Sequence, residues 1–231
     1  MSFDFSKHKS IMLKILKDIY TDTSISSYLA FKGGTAAMLF YGLPRNSVDL
    51  DFDILDSGKE ELVFGRIQKL VSVYGKITEA IIKRNNILVV ISYGTGLPQL
   101  KIEINRQQFG SNYSNMSLLG IPMLVMNKSD MFAHKLMAMY ERMGRTSRDI
   151  FDVRFFAQND WEINKAMVEK RSGKTFVKII NECIISLEKM SEAHILDGLG
   201  ELLDERQKDS TRAKLKADTI FQLKLMQSNE K

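Results

Sequence analysis

Residues 48–55 read VDLDFDIL, and an alternation this strict fits an extended strand with Leu50, Phe52 and Ile54 on one face and Asp49, Asp51 and Asp53 on the other. Carboxylates two residues apart on a strand lie roughly 7 Å from one another and repel when ionised unless a cation or base sits between them. A second run, QLKIEIN at 99–105, alternates in the same way, with Leu100, Ile102 and Ile104 apolar and Glu103 on the polar side. Laid beside the first strand, it would add a third carboxylate to the set. Hard oxygen donors so arranged suit Mg²⁺ or Mn²⁺, which leave coordination positions open for water and phosphate oxygens. The plain alternative is a solvated strand face. A calcium loop is disfavoured: Asp49, Asp51, Asp53 and Glu60 fall at EF-hand spacing, but the position that needs Gly is Ile54, and GLPRNSV cannot supply the entering helix.

Around this strand the hydrophobic periodicity changes twice. Ile11, Ile15, Leu16 and Ile19 predict an amphipathic helix over about residues 7–20. SYLAF reads as a short strand that turns at Gly33-Gly34 into a helix, TAAMLFYG, stopped by Gly42 and Pro44. KEELVFGRIQKLVSVYG predicts a helix with Leu62, Ile67, Leu70 and Val71 inward, followed by strands KITEAIIKR, ILVVISYG and QLKIEIN, the first two joined at Asn85-Asn86. Beyond about residue 125 the spacing is helical to the end. The expected fold is α+β, with a mixed sheet and its helices in residues 1–125 and a helical bundle in 126–231.

Composition narrows the function classes. A chain of 231 residues, 44% of them hydrophobic, can bury one large core or two smaller ones. Its net charge of +5 is compatible with a polyanionic partner. The single cysteine, Cys183, excludes a disulfide framework and a cysteine zinc site. The first twenty residues lack an uninterrupted apolar stretch, and no later segment approaches the ~20 apolar residues of a membrane span, so a soluble, cytoplasmic protein without membrane contact is expected. KGGTAA lacks both the dinucleotide fingerprint and the P-loop spacing. What remains is a Gly-Gly turn, with Thr35 as the expected helix cap, that exposes backbone N–H groups to a phosphate.

Two blocks together carry a resemblance. KGGTAAMLFYGLPRNSVDLDF resembles the opening motif of the AbiEii/AbiGii-type nucleotidyltransferase toxins, the toxic halves of type IV toxin–antitoxin and phage-defence systems, within the DNA polymerase β-like nucleotidyltransferase superfamily; Lys32, Gly33, Gly34, Thr35, Arg45, Ser47, Asp49 and Asp51 carry the match. Thr35 stands where the wider superfamily often has Ser. DMFAHKLMAMYERMGRTSRDIFDV is similar to the family's second block at Asp130, Ala133, Lys135, Ala138, Arg142, Arg148, Asp149 and Asp152. On a helix, Lys135 and Arg142 share a face and could bracket a triphosphate, while Arg148 and Asp152 are spaced as an i, i+4 pair; ordinary helix-surface ion pairing is the alternative for all of them. His134, beside Lys135, reads as a partly packed side chain rather than a catalytic one, and His8 and His194 show no partner in the sequence.

The resemblance implies transfer of an NMP from an NTP, held with Mg²⁺ or Mn²⁺, to an acceptor hydroxyl. Asp49 and Asp51 would hold the metal, with Glu103 completing the set and taking the proton. Gly33, Gly34, Thr35 and Ser47 would meet phosphate, Lys135 the β/γ-phosphates, and Asp149 would orient Lys135 or the nucleoside. Lys32, Arg45, Arg142, Arg148 and Asp152 complete the expected nucleotide site. An RNA acceptor, a tRNA 3′ end, and a cognate antitoxin are the implied partners. A small-molecule or protein acceptor, or a non-catalytic NTP-binding module, are the alternatives. Beyond about residue 160 no motif assigns the helices a role.

Overall fold

A computed structural model of the chain describes residues 5–95 and 97–230; the first four residues of the start considered above lie outside them. The aspartate strand is real but short: β2, Leu50–Ile54, begins one residue after Asp49. Leu50 and Phe52 are fully buried and Ile54 is 2% exposed, so its apolar face is core. β2 pairs antiparallel with β1 (Leu29–Lys32) and parallel with β5 (Leu100–Asn105), in unbroken register from Leu50↔Ile102 to Asp53↔Asn105. β3 (Lys76–Ile82) and β4 (Asn86–Ser92) extend the sheet beyond β5. On the other side lie β7 (Ile121–Met126), parallel to β1, and β6 (Tyr113–Leu118), giving the order β3-β4-β5-β2-β1-β7-β6.

The last hairpin has no counterpart in the periodicity, because β6 buries little of either face and its turn is Leu119-Gly120, both at positive φ, rather than an Asn-Gly pair. Three helices belong to this sheet: α1 (Phe5–Thr21), α2 (Gly33–Tyr41) and α3 (Glu60–Val71). Tyr20 of α1 lies 6.3 Å from the Phe52 ring, and Phe31 lies 5.3 Å from it and 6.3 Å from Phe40 of α2, which places α1 and α2 on the apolar face of β2. In α3 the buried stripe is Val63, Ile67 and Val71, at i, i+4 and i+8, whereas Leu62 is 43% exposed and Leu70 is half-buried. The expected face was off by one side chain because both choices are apolar.

The chain divides into two units, Met1–Met126 and Asn127–Lys231. The second is helical: α4 (Lys128–Arg142), α5 (Arg148–Gln158), α6 (Lys165–Ser172), α7 (Phe176–Lys189) and α8 (Glu205–Ser228). The starts of the last three are written locally. Asn164 caps α6, Thr175 caps α7, and Asp204 with Gln207 forms a capping box for α8. Phe156 of α5 stacks on Trp161 at 4.1 Å and meets Phe132 of α4 edge-on. Cys183 sits fully buried on α7, where burial pushes its thiol up to about 12 and leaves it without thiolate character near neutrality. No helix among the described residues is long and apolar enough to cross a membrane.

Candidate functional site

The first block of motif residues converges on the beginning of α2. Gly33 has φ +77, and a β-carbon there would lie 2.2 Å from Asp51 Oδ2, so only glycine lets the carboxylate come this close to the backbone. A β-carbon at Gly34 would meet Arg45 at 2.7 Å and Ser47 Oγ at 2.9 Å. Residues spread over positions 33–51 thus crowd around one helical turn, whose unpaired N–H groups attract anions. Arg45 is 5% exposed and donates to the Asn46 carbonyl at 2.9 Å, which stiffens the loop into β2.

Thr35 departs from the expected role. Lys32 is the N-cap residue of α2 and makes no side-chain cap, while Thr35, fully buried, donates from Oγ1 to the Asp49 carbonyl at 2.5 Å. It therefore fixes the peptide that carries Asp49 instead of facing a phosphate. Lys32 departs as well. Its ammonium lies 2.6 Å from Asp53 Oδ1, and Asp53 also accepts from Asn105 at 2.7 Å and Tyr113 at 2.8 Å. The lysine expected at the nucleotide is the counter-ion of the third aspartate, because antiparallel pairing sets Lys32 opposite Asp51 and diagonal to Asp53.

Asp49 and Asp51 are both half-buried. Glu103, also half-buried, is the register partner of Asp51 on the neighbouring parallel strand, so the two side chains share a face, and its Oε1 accepts from Asn86 at 2.9 Å. Two like charges side by side are unfavourable without a cation between them. Among the described residues, no three His, Cys, Asp or Glu side chains converge tightly enough to hold an ion unaided. The donor chemistry nonetheless fits Mg²⁺, which binds one or two carboxylates and takes its other ligands from water and substrate phosphates.

His8 was invisible to motif reasoning, although it falls on the buried stripe of α1 with Met12, Ile15 and Ile19. It is 1% exposed; Nε2 donates to the Val48 carbonyl at 2.8 Å, which leaves Nδ1 to accept from the Tyr93 hydroxyl. Burial holds its pKa below the usual 6.5, opposed by the Val48 bond and the charge of Asp49. Because the folded pKa lies below the unfolded one, the unfolded chain takes up the proton first. The stabilisation is complete above about pH 6.5 and is lost as pH falls through that value toward the folded pKa. Urea unfolding at pH 7.5 and 5.5 should show this loss, and His8→Gln should flatten it; an identical slope in the variant would remove His8 as its source.

The second block forms its own cluster within the helical unit. Lys135 Nζ lies 3.1 Å from Asp149 Oδ1 and 2.7 Å from Asp152 Oδ2, and Arg142 lies 2.7 Å from Asp149 Oδ2 in an ion pair not aligned as a hydrogen bond. The Asp149 and Asp152 side chains are 2% and 0% exposed, so their pairs with Lys135 are interior ones rather than the helix-surface pairs of the alternative, while the Arg142 side chain reaches Asp149 from the surface. Asp152 turns to Lys135 and forms no described ion pair with Arg148, the half-buried first residue of α5. Asp130, fully buried, accepts from Asn164 at 2.6 Å and ties the start of α4 to the α6 cap. His134 contacts Arg171 at 2.7 Å and His194 contacts Asp197 at 2.9 Å, so each serves a local pair.

A family model described as nucleotidyl transferase AbiEii toxin, type IV toxin–antitoxin system, matches residues 14–222. Among solved structures, JHP933 from Helicobacter pylori is 19% identical with a TM-score of 0.62, covering 99% of this chain and 94% of that one. An H. pylori structure described as a candidate nucleotidyltransferase is 20% identical with a TM-score of 0.61, covering 99% and 97%. These likenesses establish the fold. No curated protein matches the chain.

Proposed function

The chain belongs to the AbiEii family of nucleotidyl transferase toxins of type IV toxin–antitoxin systems, and from that premise we propose that it moves an NMP from a Mg²⁺-bound NTP to the 3′ hydroxyl of an RNA, with tRNA as the acceptor class. The acceptor oxygen forms the new bond to the α-phosphorus, the α–β bridging bond breaks, and pyrophosphate leaves. Asp49 and Asp51 are assigned as the metal-holding pair. When bound, Mg²⁺ or Mn²⁺ lowers the pKa of the attacking hydroxyl and neutralises the leaving group. Glu103, beside Asp51 in register, is assigned to take the hydroxyl proton.

The Gly33-Gly34 turn and Ser47 are assigned to the phosphate oxygens, with Arg45 and Thr35 bracing the loop and the Asp49 peptide behind them. Within the helical unit, Lys135 is assigned to the β/γ-phosphates, with Asp149 and Asp152 holding its ammonium in place and Arg142 and Arg148 supporting them. The observation that carries the proposal is the glycine-only approach of Asp51 to the first turn of α2, which sets a carboxylate beside an anion-attracting helix end. A cognate antitoxin is the partner that a type IV system entails.

Purified protein, Mg²⁺, total tRNA and each labelled NTP in turn, resolved on a denaturing gel, test this directly. The expected result is label on tRNA-sized product, abolished by EDTA. Label on protein or on a small molecule added in place of tRNA would move the acceptor, and NTP binding without any transfer would remove the reaction.

A further inference from the structure

Past Asp51 and Glu103, β2 and β5 run on together to Asp53 and Asn105. There they border a cavity of about 140 Å³ whose walls include Asp53, Leu55, Gln107, Gln108, Phe109 and Tyr113. Its floor is polar but carries no net charge: the Asp53 carboxylate, 5% exposed, is balanced by Lys32 and further bonded to Asn105 and Tyr113. With three donors on it, the Asp53 carboxylate is poorly suited to hold a metal. It does anchor Asn105 and Tyr113, the two ends of the segment that carries Gln107, Gln108 and Phe109. Asn105 grips that segment again by donating to the Gln107 carbonyl at 2.7 Å.

A neutral pocket that offers an aromatic ring, aliphatic edges and two carboxamides suits a flat, uncharged, hydrogen-bonding ring better than a phosphate or an alkyl chain. Aromatic stacking plus amide contacts to ring edges is how single-stranded bases are held. Room for about four or five waters at ~30 Å³ each is also room for one such ring. We propose that this pocket holds the terminal nucleobase of the acceptor RNA, an inference that rests on the metal-pair assignment above. The acceptor is favoured over the NTP because the glycine turn assigned to phosphate backs onto Asp51, and Thr35 extends that contact toward Asp49. The pocket lies at the opposite end of the strand, beyond the Glu103 level where the attacking hydroxyl loses its proton. Two residues of strand span about 7 Å, a gap that a ribose bridges between its 3′ oxygen and its base.

The test uses a short single-stranded RNA with 2-aminopurine as its 3′ base, titrated with the full chain in the absence of NTP and read by fluorescence. Wild type should quench the terminal probe strongly and a probe placed several bases inward weakly. Phe109→Ala should weaken binding of the terminal probe about 10-fold or more, and Phe109→Leu, which keeps apolar volume without a ring, should lose the quench as well. Quenching without nucleotide transfer would leave the pocket standing while removing the proposed reaction. Equal quenching of terminal and inward probes, no quench at all, or selective quenching of 2-aminopurine riboside triphosphate in place of the RNA would each overturn the inference.

Discussion

Asp51→Ala should lower nucleotide transfer by about 10³-fold or more while moving the thermal midpoint by less than about 2 °C. A metal-holding carboxylate contributes several kcal/mol to the transition state, and each 1.36 kcal/mol is a factor of ten. Little stability opposes the loss, because the side chain is half-buried and stands beside Glu103, a like charge in register. Asp53→Ala is the informative contrast. It occupies the next position on the same face, yet its removal strands Lys32 and the groups of Asn105 and Tyr113, so its main cost should fall on stability. Transfer by Asp51→Ala at a rate near wild type would end the metal-pair assignment.

The largest stability effect should come from Lys135→Met. The substitution withdraws a cation from between two carboxylates that are almost entirely inaccessible, and breaking a buried ion pair in this way costs about 3–5 kcal/mol. Adding Asp152→Asn should recover much of the loss by removing one of the uncompensated charges. That double variant separates the two duties assigned to Lys135. A raised KM for NTP in the refolded double variant keeps the phosphate role, whereas a wild-type KM and turnover would leave the lysine a purely structural group. Urea melts and initial rates on the same preparations decide it.

Alternation alone is enough to place Leu50, Phe52 and Ile54 inward, and the same holds for Leu100, Ile102 and Ile104. Period and glycine position are likewise enough to end α2 at Gly42, which takes φ +72. The partners of Lys32, Thr35 and His8 could not be read this way, since each is set by which strand or helix lies next door. Lys32 reaches Asp53 only because β1 lies antiparallel beside β2. Thr35 meets the Asp49 carbonyl across fourteen positions of chain, and His8 meets Val48 across forty. The β6–β7 hairpin was missed for a different reason: an exposed edge strand has no hydrophobic beat to detect. In the helical unit the charged residues were legible as a set, but their burial was not, because Asp149 and Asp152 look solvent-facing until Lys135 is seen between them.

The parallel β2–β5 pairing brings Asp51 and Glu103 together through lateral alignment rather than through nearness along the chain. Everything between the two strands, α3 and the β3–β4 hairpin included, can therefore lengthen or shorten in evolution without disturbing the acids. One residue inserted into either strand is another matter, since it rotates every later side chain by half a turn, sends an acid into the oily interior and lifts an isoleucine into water. Misalignment thus defeats folding and chemistry in one stroke, and no well-folded but catalytically scrambled form of the sheet is expected to accumulate.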